Sequence, residues 1–297
     1  MKHTSLKYVA IIFLIFFGEK LFASPQSPDY IIFKKDTIAT YNLILEQYLQ
    51  SQDKEGSEKL FGLNFRDGAT FNCWRGYQAI YKLENDSLFL TDIISCGQFR
   101  SKTIDKNLSI EKMKTIFGDK VKSNKVFINW FSGDINFPLN NKVLRWDGVF
   151  YTIFEKETVI NIIDGKVIKT ENVKNYTDKP NAIDRRDKRK ISKILFKKLK
   201  KVIWINIDSF DCSEKYLVTI DKDGKVSKVS MLGYGTDKKI DERWERNEYN
   251  YCINTIFNEL KKLRFDIIKD KGKPISEDIY IEIWFDADTG KIENWTN

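Results

Sequence analysis

The chain has 297 residues, 42% of them hydrophobic and 14% aromatic, with only 5 prolines and a formal charge of +8. That length exceeds one modal domain of about 100 to 150 residues, and the composition excludes collagen-like, disordered and low-complexity classes. A charge of this size favours anionic surfaces without establishing nucleic-acid binding, and no nucleic-acid partner is expected.

Met1 to Ala23 opens with Lys2 and Lys7, continues as ten apolar residues from Tyr8 to Phe17, and breaks at Gly18-Glu19-Lys20 before Leu21-Phe22-Ala23. This is the layout of a secretory signal peptide cleaved after Ala23. As a helix the apolar run would span about 15 Å, half of a roughly 30 Å hydrocarbon core. Removal of the leader takes away three basic residues and one acidic residue, leaving a charge of +6. The expected location is periplasmic or secreted.

Export places Cys73, Cys96, Cys212 and Cys252 in an oxidising compartment. Cys73 and Cys96 flank a predicted hairpin, Trp74–Leu83 and Leu88–Ser95 around Glu84-Asn85-Asp86-Ser87. Their positions match across that turn to within about two residues, and period-2 alternation keeps both sulfurs on one face. Cys212 and Cys252 are left to pair. The competing reading is four buried free thiols; zinc is disfavoured because no CxxC spacing occurs.

In chain order, Ser24 to Asp29 reads as an extended arm and Tyr30–Phe33 as a strand. Ile38, Tyr41, Leu45, Tyr48 and Leu49 recur at helical spacing. Ser109 to Gly118 is predicted as a short helix with Ser109 as its N-cap, Ile110, Met113 and Phe117 on one stripe and Gly118 as its stop. Strands are predicted over Lys125–Phe131, Val143–Phe154, Thr158–Ile163 and Lys166–Glu171, the last two joined by Asp164-Gly165. Trp74, Trp130 and Trp146 could form a stacking platform for sugar or bases, but aromatic residues in strands are usually core or cross-strand pairs, so a core role is expected.

Residues 24–175 are thus expected as a β-rich first domain and 176–190 as a charged linker containing Pro180 and the run Asp184 to Lys190. Residues 191–297 form the second domain. The expected class is α+β: a mostly antiparallel β domain with short helices, then a small antiparallel sheet packed by helices. Ile191, Ile194, Leu195 and Leu199 form an apolar stripe on a helix whose other faces hold Lys193, Lys197, Lys198, Lys200 and Lys201. Such a helix either lies on anionic lipid or lipopolysaccharide, or presents a solvated face while packing on the next sheet.

The only histidine is His3, inside the leader. Its loss removes serine–histidine and cysteine–histidine nucleophile activation, the HExxH zinc site and the usual proton-transfer group near neutral pH. Carboxylate pairs of the glycosidase kind remain possible in principle, but nothing singles out two of them. Asp221-Lys222-Asp223-Gly224 lacks the further ligands of a calcium loop and reads as a hairpin turn; Gly233-Tyr234-Gly235 lacks the third glycine and the lysine of phosphate loops. No catalytic residue, metal or cofactor is expected.

Tyr216, Val218 and Ile220 alternate, Asp223-Gly224 reverses the chain, and Lys225 to Leu232 returns. A helix over about Tyr249–Leu263 carries Ile253, Ile256, Phe257, Leu260 and Leu263 on one face. The last strand sets Ile279, Ile281, Ile283 and Phe285 inward against Tyr280, Glu282 and Trp284. With Asp223-Gly224-Lys225-Val226, Leu260-Lys261-Lys262-Leu263-Arg264-Phe265 and Gly272-Lys273-Pro274-Ile275, this order resembles the C-terminal domain of TonB-type envelope proteins over about a third of the chain. Cys73-Trp74-Arg75-Gly76-Tyr77 and Trp130-Phe131-Ser132-Gly133 resemble a group of bacterial proteins without assigned activity.

The TonB resemblance implies recognition of an extended envelope protein or peptide segment by strand addition at a sheet edge, with Tyr280, Glu282 and Trp284 on the binding edge strand. A true energy transducer needs a permanent membrane helix and a long spacer, so that reading requires an uncleaved leader. An inhibitor or immunity-like protein is the further alternative.

Overall fold

The computed structural model describes residues 26–52, 70–204, 210–286, 289 and 291–296. The leader expected over Met1 to Ala23 lies outside them. Two compact units emerge: the first holds the described residues up to Phe137 with Arg145–Thr152 and Ile160–Thr170, the second Pro138–Leu144, Ile153–Val159 and the chain from Glu171.

The strands and helices before the second unit's main body are β1 (Asp29–Phe33), β2 (Asp36–Thr40), α1 (Ile44–Gln52), β3 (Tyr77–Glu84), β4 (Ser87–Ser95), α2 (Gln98–Ser101), α3 (Lys106–Phe117), β5 (Val126–Phe127), β6 (Gly133–Pro138), β7 (Val143–Trp146), β8 (Thr152–Phe154), β9 (Lys156–Ile163) and β10 (Lys166–Lys174). A sheet of order β2-β1-β3-β4-β10-β9-β6, with β5 also on β4, carries the first unit's core. α1 and α3 supply Leu45, Leu49, Met113 and Phe117 to it. The β3–β4 turn places Asn85 and Asp86 at positive φ, and the β9–β10 turn does the same with Asp164 and Gly165; both match the right-handed twist of a two-residue hairpin. A Cβ on Gly165 would lie 1.8 Å from the Ile128 carbonyl oxygen, so only glycine fits.

At the start of β1, Asp29 and Arg75 form a buried pair, 2.9 Å from Nη1 to each carboxylate oxygen. Ala79 N–H and the Tyr81 hydroxyl complete the shell of Asp29, and the Arg75 Nη2 donates to the Ser27 carbonyl. Burial opposes the Arg75 charge, but the adjacent Asp29 carboxylate outweighs it and raises the guanidinium above its ordinary range. The network fastens the expected extended arm to β3.

Several local expectations change. Ile38 lies in β2, opposite Ile31, and the helix begins only at Ile44, because β-branched Thr37, Ile38 and Thr40 suit the hairpin and Leu43 turns through positive φ. Asp105, not Ser109, caps α3 by accepting from Leu108 N–H; Ser109 is buried, donating to Asp92 and accepting from Ile93 N–H. The strand expected over Lys125–Phe131 shrinks to Val126–Phe127. That expected over Val143–Phe154 is broken into a hairpin at Asp147-Gly148, where the Asp147 carboxylate accepts three consecutive N–H groups, from Val149, Phe150 and Tyr151.

The second unit adds β11 (Tyr176–Thr177), α4 (Lys188–Leu199), β12 (Glu214–Ile220), β13 (Val226–Met231), α5 (Asp237–Asp241), α6 (Arg246–Leu260), β14 (Ile267–Asp270), β15 (Lys273–Pro274), β16 (Glu277–Asp286) and β17 (Lys291–Asn294). Its main sheet is antiparallel, in the order β13-β12-β16-β17. α4 and α6 cover one face: Ile191, Leu195 and Leu199 meet Ile256 and Leu260 over Tyr216, Val218, Ile279, Ile281 and Ile283. At the β12–β13 turn the Asp221 carboxylate accepts from Asp223 and Lys225 N–H, and a Cβ on Gly224 would lie 2.1 Å from the Phe265 carbonyl oxygen.

The stretch 176–190 is not a linker. Tyr176 and Arg185 are fully buried in the second unit. The Tyr176 hydroxyl lies 2.6 Å from Asp266 and 2.8 Å from Asp184 and accepts from Arg185 N–H, and Arg185 reaches Glu277. Of the charge run that suggested solvent exposure, Arg185 alone is buried, while Asp184, Arg186, Asp187, Lys188, Arg189 and Lys190 stay exposed. Nor does the unit boundary fall at one place in the sequence, since β9 and β10 each contribute residues to both units.

Candidate functional site: the open face of the second sheet

Helices occupy one face of the β13-β12-β16-β17 sheet, so alternation sends every second side chain to the other face. There β12 contributes Lys215, Leu217 and Thr219, β16 contributes Asp278, Tyr280, Glu282 and Trp284, and Glu293 and Trp295 follow from β17 and its end. Tyr280, Glu282 and Trp284 therefore share the outward face, as their spacing predicts. The Tyr280 hydroxyl donates to the Glu282 carboxylate, and burial with that bond pushes the phenol up to about 12. Leu217 faces Tyr280 and Lys215 faces Glu282 across the ladder, while Thr219 donates to Asp278 at 2.6 Å.

β16 is not an edge strand, which corrects the expected role of Tyr280, Glu282 and Trp284. It pairs with β12 from Glu277 to Ile283 and with β17 from Ile283 to Asp286. The extra strand arises because the chain reverses after Asp286 and returns as Lys291–Asn294, burying Ile292 against the same core. Trp295 N–H then donates to the Glu282 carbonyl, and Thr296 Oγ1 accepts from Glu282 N–H. The edges of this sheet are β13 and β17.

Sequence reasoning missed Trp295. It stacks on Trp284 with ring centroids 5.4 Å apart and planes inclined by 29°, and the two are 52% and 51% exposed. The signal was available: turn residues Asp288-Thr289-Gly290 precede Ile292, whose alternation with Glu293 and Trp295 marks a short returning strand.

The remaining expected sites are scattered. Lys193, Lys197, Lys200 and Lys201 are exposed on α4 and at its end, and Lys198 pairs with Glu259 at 2.8 Å. Both cysteine pairs form, Cys73–Cys96 with Cα atoms 6.3 Å apart and Cys212–Cys252 with 5.5 Å, which is compatible with an oxidising compartment. Among the described residues no helix is long and apolar enough to cross a membrane. Of the three tryptophans expected in the first core, only Trp130 packs there, stacked on Phe117 and donating to the Ile44 carbonyl. Trp74 and Trp146 are about half exposed, Trp74 in the turn before β3 and edge-on to Phe150, Trp146 at the end of β7 in the short β7–β8 hairpin.

No known protein family, curated protein or solved structure matches the chain.

Proposed function

We propose that this chain is an exported, non-catalytic binding protein of the bacterial cell envelope, whose second unit captures an extended protein segment along β17. The observation that carries the reading is the stacked, half-exposed Trp284–Trp295 pair on an uncovered sheet face beside an edge strand. Exposed tryptophans are costly in water and are enriched where partners bind. An edge strand offers backbone donors and acceptors to an incoming strand. The TonB-type resemblance of the sequence motifs supports the same mode.

Register makes the reading testable. Trp284 pairs with Glu293, and Trp295 N–H donates to Glu282, so the N–H of Asn294 points away from β16. Asn294→Pro removes that outward donor without removing a bond to β16. The test is selection of random linear peptides on the purified mature protein. Selected peptides should lose binding to Asn294→Pro and to Trp284→Ala, yet keep it with Lys228→Ala, an exposed position on the opposite edge strand. Peptides insensitive to Asn294→Pro would sink strand addition at β17.

A further inference from the structure

The outer surface of α4 and α6 is segregated by charge. Arg189, Lys193, Lys197, Lys200 and Lys201 are all exposed. At 3.6 residues per turn they fall within an arc of about 120°, opposite the buried stripe of Ile191, Leu195 and Leu199. None has an ion-pair partner among the described residues. The exposed positions of α6 alongside are Asn247, Asn250, Asn254 and Asn258, all uncharged. The nearby Glu259 is already held between Lys198 at 2.8 Å and Lys262 at 2.7 Å. Past the end of α4, Ile203 is 86% exposed, beside an open groove of about 400 Å³ that Tyr251, Thr255 and Asn258 help to line.

We infer that this helical layer docks on an anionic phospholipid surface, with the five cations over headgroups and Ile203 entering the acyl boundary. Uncompensated cations on one face with an exposed aliphatic side chain are the two parts of interfacial binding. A nucleic-acid backbone would use the cations but offers nothing to Ile203. Because α4 and α6 lie on the inner face of the sheet, docking through them leaves the Trp284–Trp295 face directed away from the lipid.

The test is co-sedimentation of the purified mature protein with vesicles of phosphatidylcholine alone or mixed with phosphatidylglycerol. Binding should require phosphatidylglycerol and fall as salt shortens the Debye length. Each basic residue near the surface is worth about fivefold in partitioning, so Lys193→Gln/Lys197→Gln/Lys200→Gln should lower it about a hundredfold. Lys215→Gln/Lys228→Gln/Lys291→Gln, on the sheet side, removes the same net charge and should lower it far less. Ile203→Ser should weaken binding severalfold. The inference is overturned by equal losses in the two triple variants, by equal binding to both vesicle types, or by an unchanged Ile203→Ser. Retention on a nucleic-acid duplex without vesicle binding would also overturn it. All substituted residues are exposed, so an unchanged circular dichroism spectrum and thermal transition separate lost docking from lost fold.

Discussion

Replacing Cys212 and Cys252 with alanine should destabilise the second unit more than the matching Cys73 and Cys96 change destabilises the first. The bridges close loops with sequence separations of 40 and 23. In the chain-entropy account the lost constraint on the unfolded state amounts to about 3.9 kcal/mol for the longer loop and about 3.4 kcal/mol for the shorter. Packing widens the gap: Cys252 is fully buried beside Ile256 and Tyr216, and Cys212 also lies in that core, whereas Cys96 is half-buried at the rim of the first unit. Urea unfolding followed by circular dichroism and tryptophan fluorescence reads both values. The m-value should rise as the unfolded chain expands. Because the pairs belong to different units, the quadruple variant should lose close to the sum of the two pairs. A loss below about 1 kcal/mol for either pair would refute the reasoning, since it would mean that the unfolded chain is already as restricted without the bridge.

Arg75→Met should cost about 3 to 5 kcal/mol, because it strands the buried Asp29 carboxylate, and Asp29→Leu/Arg75→Met should recover much of that loss in the same urea assay. Glu84 accepts hydrogen bonds from Lys125 at 2.5 Å and Lys82 at 2.9 Å, which hold its carboxyl at about 2. A depressed carboxyl contributes stability above its unfolded value and loses it as pH falls, so the window runs from about 4.5 down to about 2. An NMR titration should place the Glu84 midpoint there, and Lys125→Ala should raise it. Gly224→Ala should destabilise the second unit by several kcal/mol, since φ is +77° and the new Cβ would meet the Phe265 carbonyl oxygen at 2.1 Å; thermal unfolding checks this. Trp284→Ala should remove the exciton couplet of the stacked tryptophans from the circular dichroism spectrum while leaving the melting temperature nearly unchanged, because both rings are half exposed.

Local signals carried much of the fold into the sequence. Asn85-Asp86, Asp164-Gly165 and Asp223-Gly224 each require positive φ at a reversal, and each lies at a hairpin. The strict alternation of Ile279, Ile281 and Ile283 fixed both the strand and its buried face, and with it the outward face of Tyr280, Glu282 and Trp284. The Cys73–Cys96 pairing was legible because the hairpin brings the start of β3 and the end of β4 together, Tyr77 against Ser95, and Cys73 reaches Cys96 from the turn just before β3; Cys212 and Cys252 followed by elimination. Where two local patterns competed, as at Ile38 or Ser109, the outcome depended on a cross-strand partner or on a stronger neighbouring cap.

What the chain by itself determined is therefore periodicity, turns and the sides to which residues point, all of which depend on neighbours a few positions away. Tertiary structure decided which strand is an edge, whether a charge is solvated or buried, and which aromatic rings meet. Glu277 to Asp286 reads the same whether or not Lys291–Asn294 pairs beside it, yet that pairing moves the open edge to β17 and brings Trp295 onto Trp284. Arg185 reads as part of a solvated charge run until the nearby Tyr176 and the sequence-distant Asp266 and Glu277 close around it. Composition cannot encode such closures, because the free energy of a charge or an exposed ring depends on what the rest of the chain places within a few ångströms of it.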